Sequence, residues 1–250
     1  MIPKKIHYCW FGKKEKPQIF VQCLASWKKH CPNFEIMEWN EKNSFQFSNS
    51  FYKNALRKKK YAFVSDYIRL KVLHEYGGIY LDTDMLLVKP IDNLLQYSFF
   101  SGYEVEKRVN YAFFGGVKGN HFFEVMLLFY GNTEFNEFSL PVITHTFKNT
   151  VTLTNLRENE VLFSSEYFYP LTFQNREKDY ELFTTEKTYG VHLWDHSWKE
   201  EKSENSIELL KKVKIVLVDF IFYGYSKKYL RRYLKEFLRK IYLRQKNRFK

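Results

Sequence analysis

Cysteine is scarce in this chain, long apolar runs are missing, and acidic residues all but vanish from the last stretch. The three cysteines, Cys9, Cys23 and Cys31, show no C-x-x-C spacing and an odd count. That excludes a disulfide framework and reads as free thiols in a reducing compartment. The longest apolar run, Ile215 to Tyr223, is interrupted by Asp219 and falls far short of the roughly 20 residues that a spanning helix requires. Lys4 and Lys5 are followed by no apolar h-region, so no secretory signal is expected. The expected location is the cytoplasm. No internal repeat and no long linker occur either, which favours a single domain over residues 1–205 with a basic tail, 206–250.

Hydrophobic residues make up 45% of the 250, enough for a full core, and aromatics 20%, with 25 Phe and 19 Tyr. So many aromatics suit an aromatic-lined site or an AT-rich coding bias. The net charge of +12 is uneven. Residues 226–250 hold eleven Lys or Arg against Glu236 alone, leaving the rest of the chain at only +2. The basicity therefore belongs to the tail, and nucleic-acid binding by the whole protein is not implied. Leu230, Tyr233, Leu234, Phe237, Leu238 and Ile241 recur there at helical spacing among Lys and Arg. Such a segment is either a helix packed on the body or an interfacial helix on anionic lipid. The second is preferred, with nucleic acid third.

Strand and helix patterns alternate. Pro3 to Gly12 reads as a strand, 17–30 as a helix entered at Pro17, Phe34 to Trp39 as a strand and 40–50 as a loop. Tyr61 to Tyr76 reads as a helix ended by Gly77 at positive φ. A strand to Asp82 follows, then apolar Met85 to Val88, strands at Phe99–Tyr103 and Tyr111–Val117, and helices at 120–130 and 138–149. Strands at 161–163 and 189–193 complete the pattern before the helical tail. This order predicts an α/β layer with a mostly parallel sheet, whose ligands bind beyond the carboxyl ends of the strands.

Asp82 and Asp84 stand at such an end, after Gly77-Gly78-Ile79-Tyr80-Leu81. Alternation along a strand would point both carboxylates the same way, a suitable pair for Mg²⁺ or Mn²⁺ completed by substrate phosphates. A lone D-x-D is weak; the glycine pair and apolar strand strengthen it. Asp66 and Arg69, three apart on a helix, are either a surface salt bridge or a fixed ion pair presented to a polar ligand. Trp10 is a core residue or a platform for a nucleobase. His192-Leu193-Trp194-Asp195-His196-Ser197-Trp198 crowds two His and two Trp into seven residues, enough for a metal or phosphate contact and an aromatic lid.

Three stretches together, Ile2 to Gly12, Ala62–Arg69 running into Tyr76–Asp84, and His192–Trp198, resemble the DXD-containing sugar transferases. That family includes bacterial capsule-synthesis enzymes and yeast Golgi mannosyltransferases, and more distantly the large glucosylating toxins. The resemblance implies a GT-A fold, a nucleotide-sugar donor favouring UDP, a divalent cation, Mn²⁺ or Mg²⁺, and retention at the anomeric carbon. It implies base stacking by Trp10 and donor contacts from Ser65, Asp66, Arg69, Gly78, Tyr80 and Asp82. It assigns metal binding to Asp84 with Asp82 and His192, and a closing loop to Ser197 and Trp198. Asp66, Arg69, Asp82 and Asp84 are the implied catalytic set. The implied acceptor is a glycan or an undecaprenyl-diphosphate-linked saccharide in capsular or surface polysaccharide synthesis, at the cytoplasmic face of the plasma membrane, reached through residues 226–250. Leu140-Pro141-Val142-Ile143-Thr144 is a weaker match to the same family and departs from its usual form by having Leu140, not a small residue, before Pro141. The rivals are a haloacid-dehalogenase-type phosphatase, whose D-x-D follows the first strand, and a non-catalytic binder using the basic tail.

Overall fold

Strand β1 (Lys5–Cys9) leads into helix α1 (Gln18–His30), β2 (Glu35–Trp39), α2 (Ser50–Arg57) and α3 (Tyr61–Tyr76). Then come β3 (Gly78–Leu81), β4 (Met85–Leu87), β5 (Phe99–Val105), β6 (Arg108–Gly116) and α4 (His121–Asn132). Short helices α5 (Ile143–Thr146) and α6 (Ser165–Phe168) flank β7 (Glu160–Phe163), with β8 (Gly190–His192) beyond them and α7 (Lys227–Arg248) last. These come from a computed structural model, which describes residues 1–136, 141–195, 213–214, 216–218, 220–222 and 227–248. The chain divides into two compact units, Met1–Thr133 with Pro141–His196, and Glu134–Leu140 with Ser197–Lys250.

In the larger unit six strands form one sheet in the order β2-β1-β3-β6-β5-β7. All run the same way except β6, which is antiparallel to both β3 and β5. The expected mostly parallel sheet is thus present. The exception arises because only Glu106 and Lys107 separate β5 from β6, too few for a crossover; Lys107 supplies the positive φ of 62° that the tight turn needs. A second, two-stranded sheet pairs β4 with β8, placing Met85 opposite His192.

Helix α3 buries residues on most of its circumference, from Phe63 and Val64 through Ile68 and Leu70 to Leu73. A helix covered on several sides carries no single apolar stripe. Gly77 caps it at φ 63°, as its position predicts. Helix α1 is anchored from below: the Trp27 indole N–H donates to the Met85 carbonyl at 2.6 Å, and Ser26 Oγ accepts from the Leu87 N–H at 3.0 Å. Phe20, Trp27, Ile79, Leu81, Phe100 and Phe113 belong to the main core.

Three expectations change. Residues 40–50 contain a 3-10 turn at Phe45–Phe47, and Asn49 caps the unanticipated α2 by accepting from the Tyr52 N–H at 2.8 Å. Of the helix expected at 138–149, the described residues keep only α5, whose N-cap Val142 has a non-helical ψ of 123°. Finally, β3 ends at Leu81, so the carboxylate pair does not sit on a strand. Asp82 to Asp84 form a turn closed by the Met85 N–H donating to the Asp82 carbonyl at 2.9 Å.

In the smaller unit α7 packs Leu230, Tyr233 and Phe237 against Val213 and Val216. Among the described residues no helix is long and apolar enough to cross a membrane.

Candidate active site

The turn after β3 carries the site. Asp82, Asp84 and His192 each offer one potential ligand atom within 4.8 Å of the others. The convergence comes from the turn and from the β4–β8 ladder, not from alternation along a strand. Asp84 is held on three points. His192 Nε2 donates to its Oδ1 at 3.1 Å, the Asp195 N–H donates to its Oδ2 at 2.9 Å, and the Leu193 N–H donates to its carbonyl at 3.0 Å. Burial pushes the Asp84 carboxyl up, but the opposing charge and hydrogen bonds from His192 outweigh it and hold Asp84 below the usual carboxylate range. Burial pulls the His192 imidazole down, and Asp84 more than restores it, so its pKa is raised. Among the described residues His192 Nδ1 is buried with no hydrogen-bond partner.

Arg69 links this cluster to α3. Its Nη2 lies 3.1 Å from Asp66 Oδ1 and 3.1 Å from Asp82 Oδ1, while Nη1 donates to the Tyr111 carbonyl at 2.9 Å. The guanidinium carbon sits 4.5 Å from the centroid of the Tyr80 ring. Asp66 and Arg69 are therefore a buried ion pair and not a surface salt bridge. Burial raises the Asp66 carboxyl to about 7 against the pull of Arg69, and the Ile143 N–H also serves it. Asp82 is raised as well, by burial and by Asp84, with Arg69 opposing. The Asp82 side chain keeps 28% of its surface exposed, against 13% for Asp84 and 9% for Asp66. Asp82 is the carboxylate a ligand can reach most readily.

The remaining candidates spread around this centre. Ser65 lends its carbonyl to Arg69 Nε at 3.4 Å. Tyr80 is 1% exposed and lies beneath Arg69. Gly78, at φ 114°, permits a close approach, but the neighbour is His7: a Cβ there would stand 2.9 Å from His7 Nε2. Trp10 is half-buried, stacks on Phe20 at 5.5 Å and 13°, and donates its indole N–H to the Lys14 carbonyl. Trp194 packs its ring 4.1 Å from that of His192 and donates to the Leu171 carbonyl at 2.8 Å. Ser197 and Trp198 lie outside the described residues.

Four groups that hold the site were not foreseen: the Tyr111 carbonyl and the N–H groups of Ile143, Leu193 and Asp195. All belong to the backbone, which a residue type does not advertise. The phosphatase arrangement needs its D-x-D after the first strand; here the pair follows β3, the third.

Residues 17–100 match the family model described as "Glycosyltransferase sugar-binding region containing DXD motif". The matched stretch contains Asp66, Arg69, Asp82 and Asp84, and leaves out Trp10 and His192. The resemblance read from the motifs is thereby met. The chain is 27% identical over 148 residues to lactosylceramide 4-alpha-galactosyltransferase of Rattus norvegicus, covering 53% of this chain and 40% of that protein. It is 25% identical over 154 residues to alpha-1,4-N-acetylglucosaminyltransferase of Homo sapiens, covering 56% and 44%. The matches thus span about two fifths of these curated relatives' length. Among solved structures it is similar to the PaToxG glycosyltransferase, with a TM-score of 0.47 and 20% identity over 60% of this chain and 67% of that one.

Proposed function

We propose that this chain is a metal-dependent, retaining GT-A glycosyltransferase that moves a hexose or N-acetylhexosamine from a nucleoside-diphosphate sugar to a saccharide hydroxyl. The observation that carries the reading is the meeting of Asp82, Asp84 and His192 within 4.8 Å, inside or beside the stretch that matches the sugar-binding model. The alpha linkages in the two relatives' names are those that retention would give from an α-linked donor. The rat protein's named acceptor is a glycolipid, which supports a lipid-linked saccharide here.

Two carboxylates suit Mn²⁺ or Mg²⁺, and the His192 imidazole, whose Nε2 lies 3.1 Å from Asp84 Oδ1, adds a nitrogen that suits Mn²⁺. Asp84, Asp82 and His192 would hold such an ion, which would supply positive charge to stabilise a leaving diphosphate. The chain's own residues do the positioning. Arg69 is immobilised by Asp66, Asp82 and the Tyr111 carbonyl, so it is a preorganised charge that needs no rearrangement. Asp82, the open carboxylate, is placed to accept hydrogen bonds from ribose or sugar hydroxyls. Asp66, buried and paired, fixes Arg69 and contributes negative charge on the donor-sugar side.

The test is nucleotide release by the full chain from a panel of UDP- and GDP-sugars, with Mn²⁺, with Mg²⁺ and with EDTA. Metal-dependent release from at least one donor is expected. No release from any donor, together with no thermal stabilisation by UDP or GDP plus Mn²⁺, would discard the reading.

A further inference from the structure

Helix α7 has two apolar faces, and its own unit covers one. Leu230, Tyr233 and Phe237 pack inward with Val213 and Val216. Leu234, Leu238 and Tyr242 point elsewhere and are 42%, 63% and 63% exposed. At 100° per residue these three span roughly 80° of the helix circumference, beside the buried stripe. Lys227, Arg231 and Lys235 are exposed too, at roughly 20°, 60° and 100° from Leu234 on the same wheel. The uncovered face thus interleaves large apolar side chains with long cationic ones. A helix exposed only to water gains nothing from three large apolar residues in line. Earlier in the same unit Leu217, Ile221 and Phe222 are also exposed, at 44%, 65% and 74%.

We infer that the outer face of α7, Leu234, Leu238 and Tyr242 framed by Lys227, Arg231 and Lys235, docks on an anionic lipid surface. Charge complementarity selects that occupant. Residues 226–250 carry eleven cationic side chains against Glu236 alone, so a second copy of α7 would repel the first. Anionic headgroups attract every one of these cations, while the apolar row enters the acyl boundary and the Lys and Arg stems reach back to the headgroups. A polyanion such as RNA would use the cations but leave the apolar row in water. The inference does not depend on the proposed chemistry, since vesicles present no sugar.

The full chain is floated with vesicles of phosphatidylcholine alone and of phosphatidylcholine with phosphatidylglycerol, and its affinity for a short RNA duplex is measured alongside. Binding is expected only to the anionic vesicles and should weaken with salt. Arg231→Gln with Lys235→Gln should weaken partition about fivefold per cation removed. Leu234→Gln with Leu238→Gln should weaken it about tenfold or more, because the apolar insertion is lost. All four positions are exposed, and circular dichroism and gel filtration report whether each variant keeps its fold and its size. Equal binding to both vesicle types overturns the inference, as does unchanged binding of the folded leucine variant. Tight RNA binding without vesicle binding also overturns it, and so does a wild-type dimer that the leucine substitutions dissociate.

Discussion

Arg69 lies over Tyr80, its guanidinium carbon 4.5 Å from the ring centroid, and in that pose one side chain reaches Asp66, Asp82 and the Tyr111 carbonyl. Lysine has one compact ammonium and cannot serve all three. Arg69→Lys should leave at least one buried carboxylate unpaired and destabilise the fold by about 3–5 kcal/mol. Urea unfolding would measure this. A loss below about 1 kcal/mol would mean that the pairs are not what holds the site.

Asp84 stands at the junction of His192 and Asp195, so its replacement removes charge from the candidate metal site. Asp84→Asn should abolish stabilisation by UDP or GDP with Mn²⁺ and lower nucleotide release about 100-fold or more. Thermal shift and single-turnover release are the readouts. Wild-type turnover at saturating Mn²⁺ would refute the metal assignment.

His7 predicts a pH dependence of stability. The Trp39 indole N–H donates to His7 Nδ1 at 3.1 Å, so the ring proton sits on Nε2 and is donated to the Gly77 carbonyl at 2.9 Å. Burial depresses the imidazole to about 4. The unfolded chain, near the ordinary 6.5, therefore binds the proton that the folded chain refuses, and stability rises with pH between about 4 and 6.5. Acidification from pH 7 to 4 should cost about 3 kcal/mol through this residue. His7→Gln should lower stability at pH 7 yet flatten that slope. An unchanged slope in urea titrations across the window would show that other groups carry it.

Trp10 stacks on Phe20 and is only half-buried, so part of the indole is within reach of a ligand. Trp10→Ala should weaken UDP binding by about 1–3 kcal/mol, the value of one base stack, while leaving Mn²⁺ affinity alone. Calorimetric titration separates the two. Equal affinity for UDP in the variant and the wild type would return Trp10 to the role of a packing residue.

The α3–Gly77–β3 passage was readable because every level agreed: helix spacing to Tyr76, a glycine at the helix end, then an apolar run. The Asp66–Arg69 contact follows from a helical separation of three, but its burial does not. Burial is imposed by neighbouring elements that sequence spacing cannot position. The carboxylate turn was misread as strand because Leu81-Asp82-Thr83-Asp84-Met85 keeps a period of two through the bend. Helix α2 was missed because its cap, Asn49, sits in a run of Asn and Ser that resembles a loop. Tyr80 shows the limit of motif reading: the motif marks its place beside Asp82, while its role as the floor under Arg69 emerges only from packing.

The β4–β8 ladder has a consequence for the order of events at the ribosome. Both side-chain partners of Asp84 arrive late, His192 after 108 residues and the Asp195 N–H after 111. At about 5–20 residues per second, the aspartate waits roughly 6–20 s on the nascent chain before either exists. For that interval the carboxylate lacks both partners, and the arrangement around Asp84 cannot be complete before residue 195 leaves the exit tunnel.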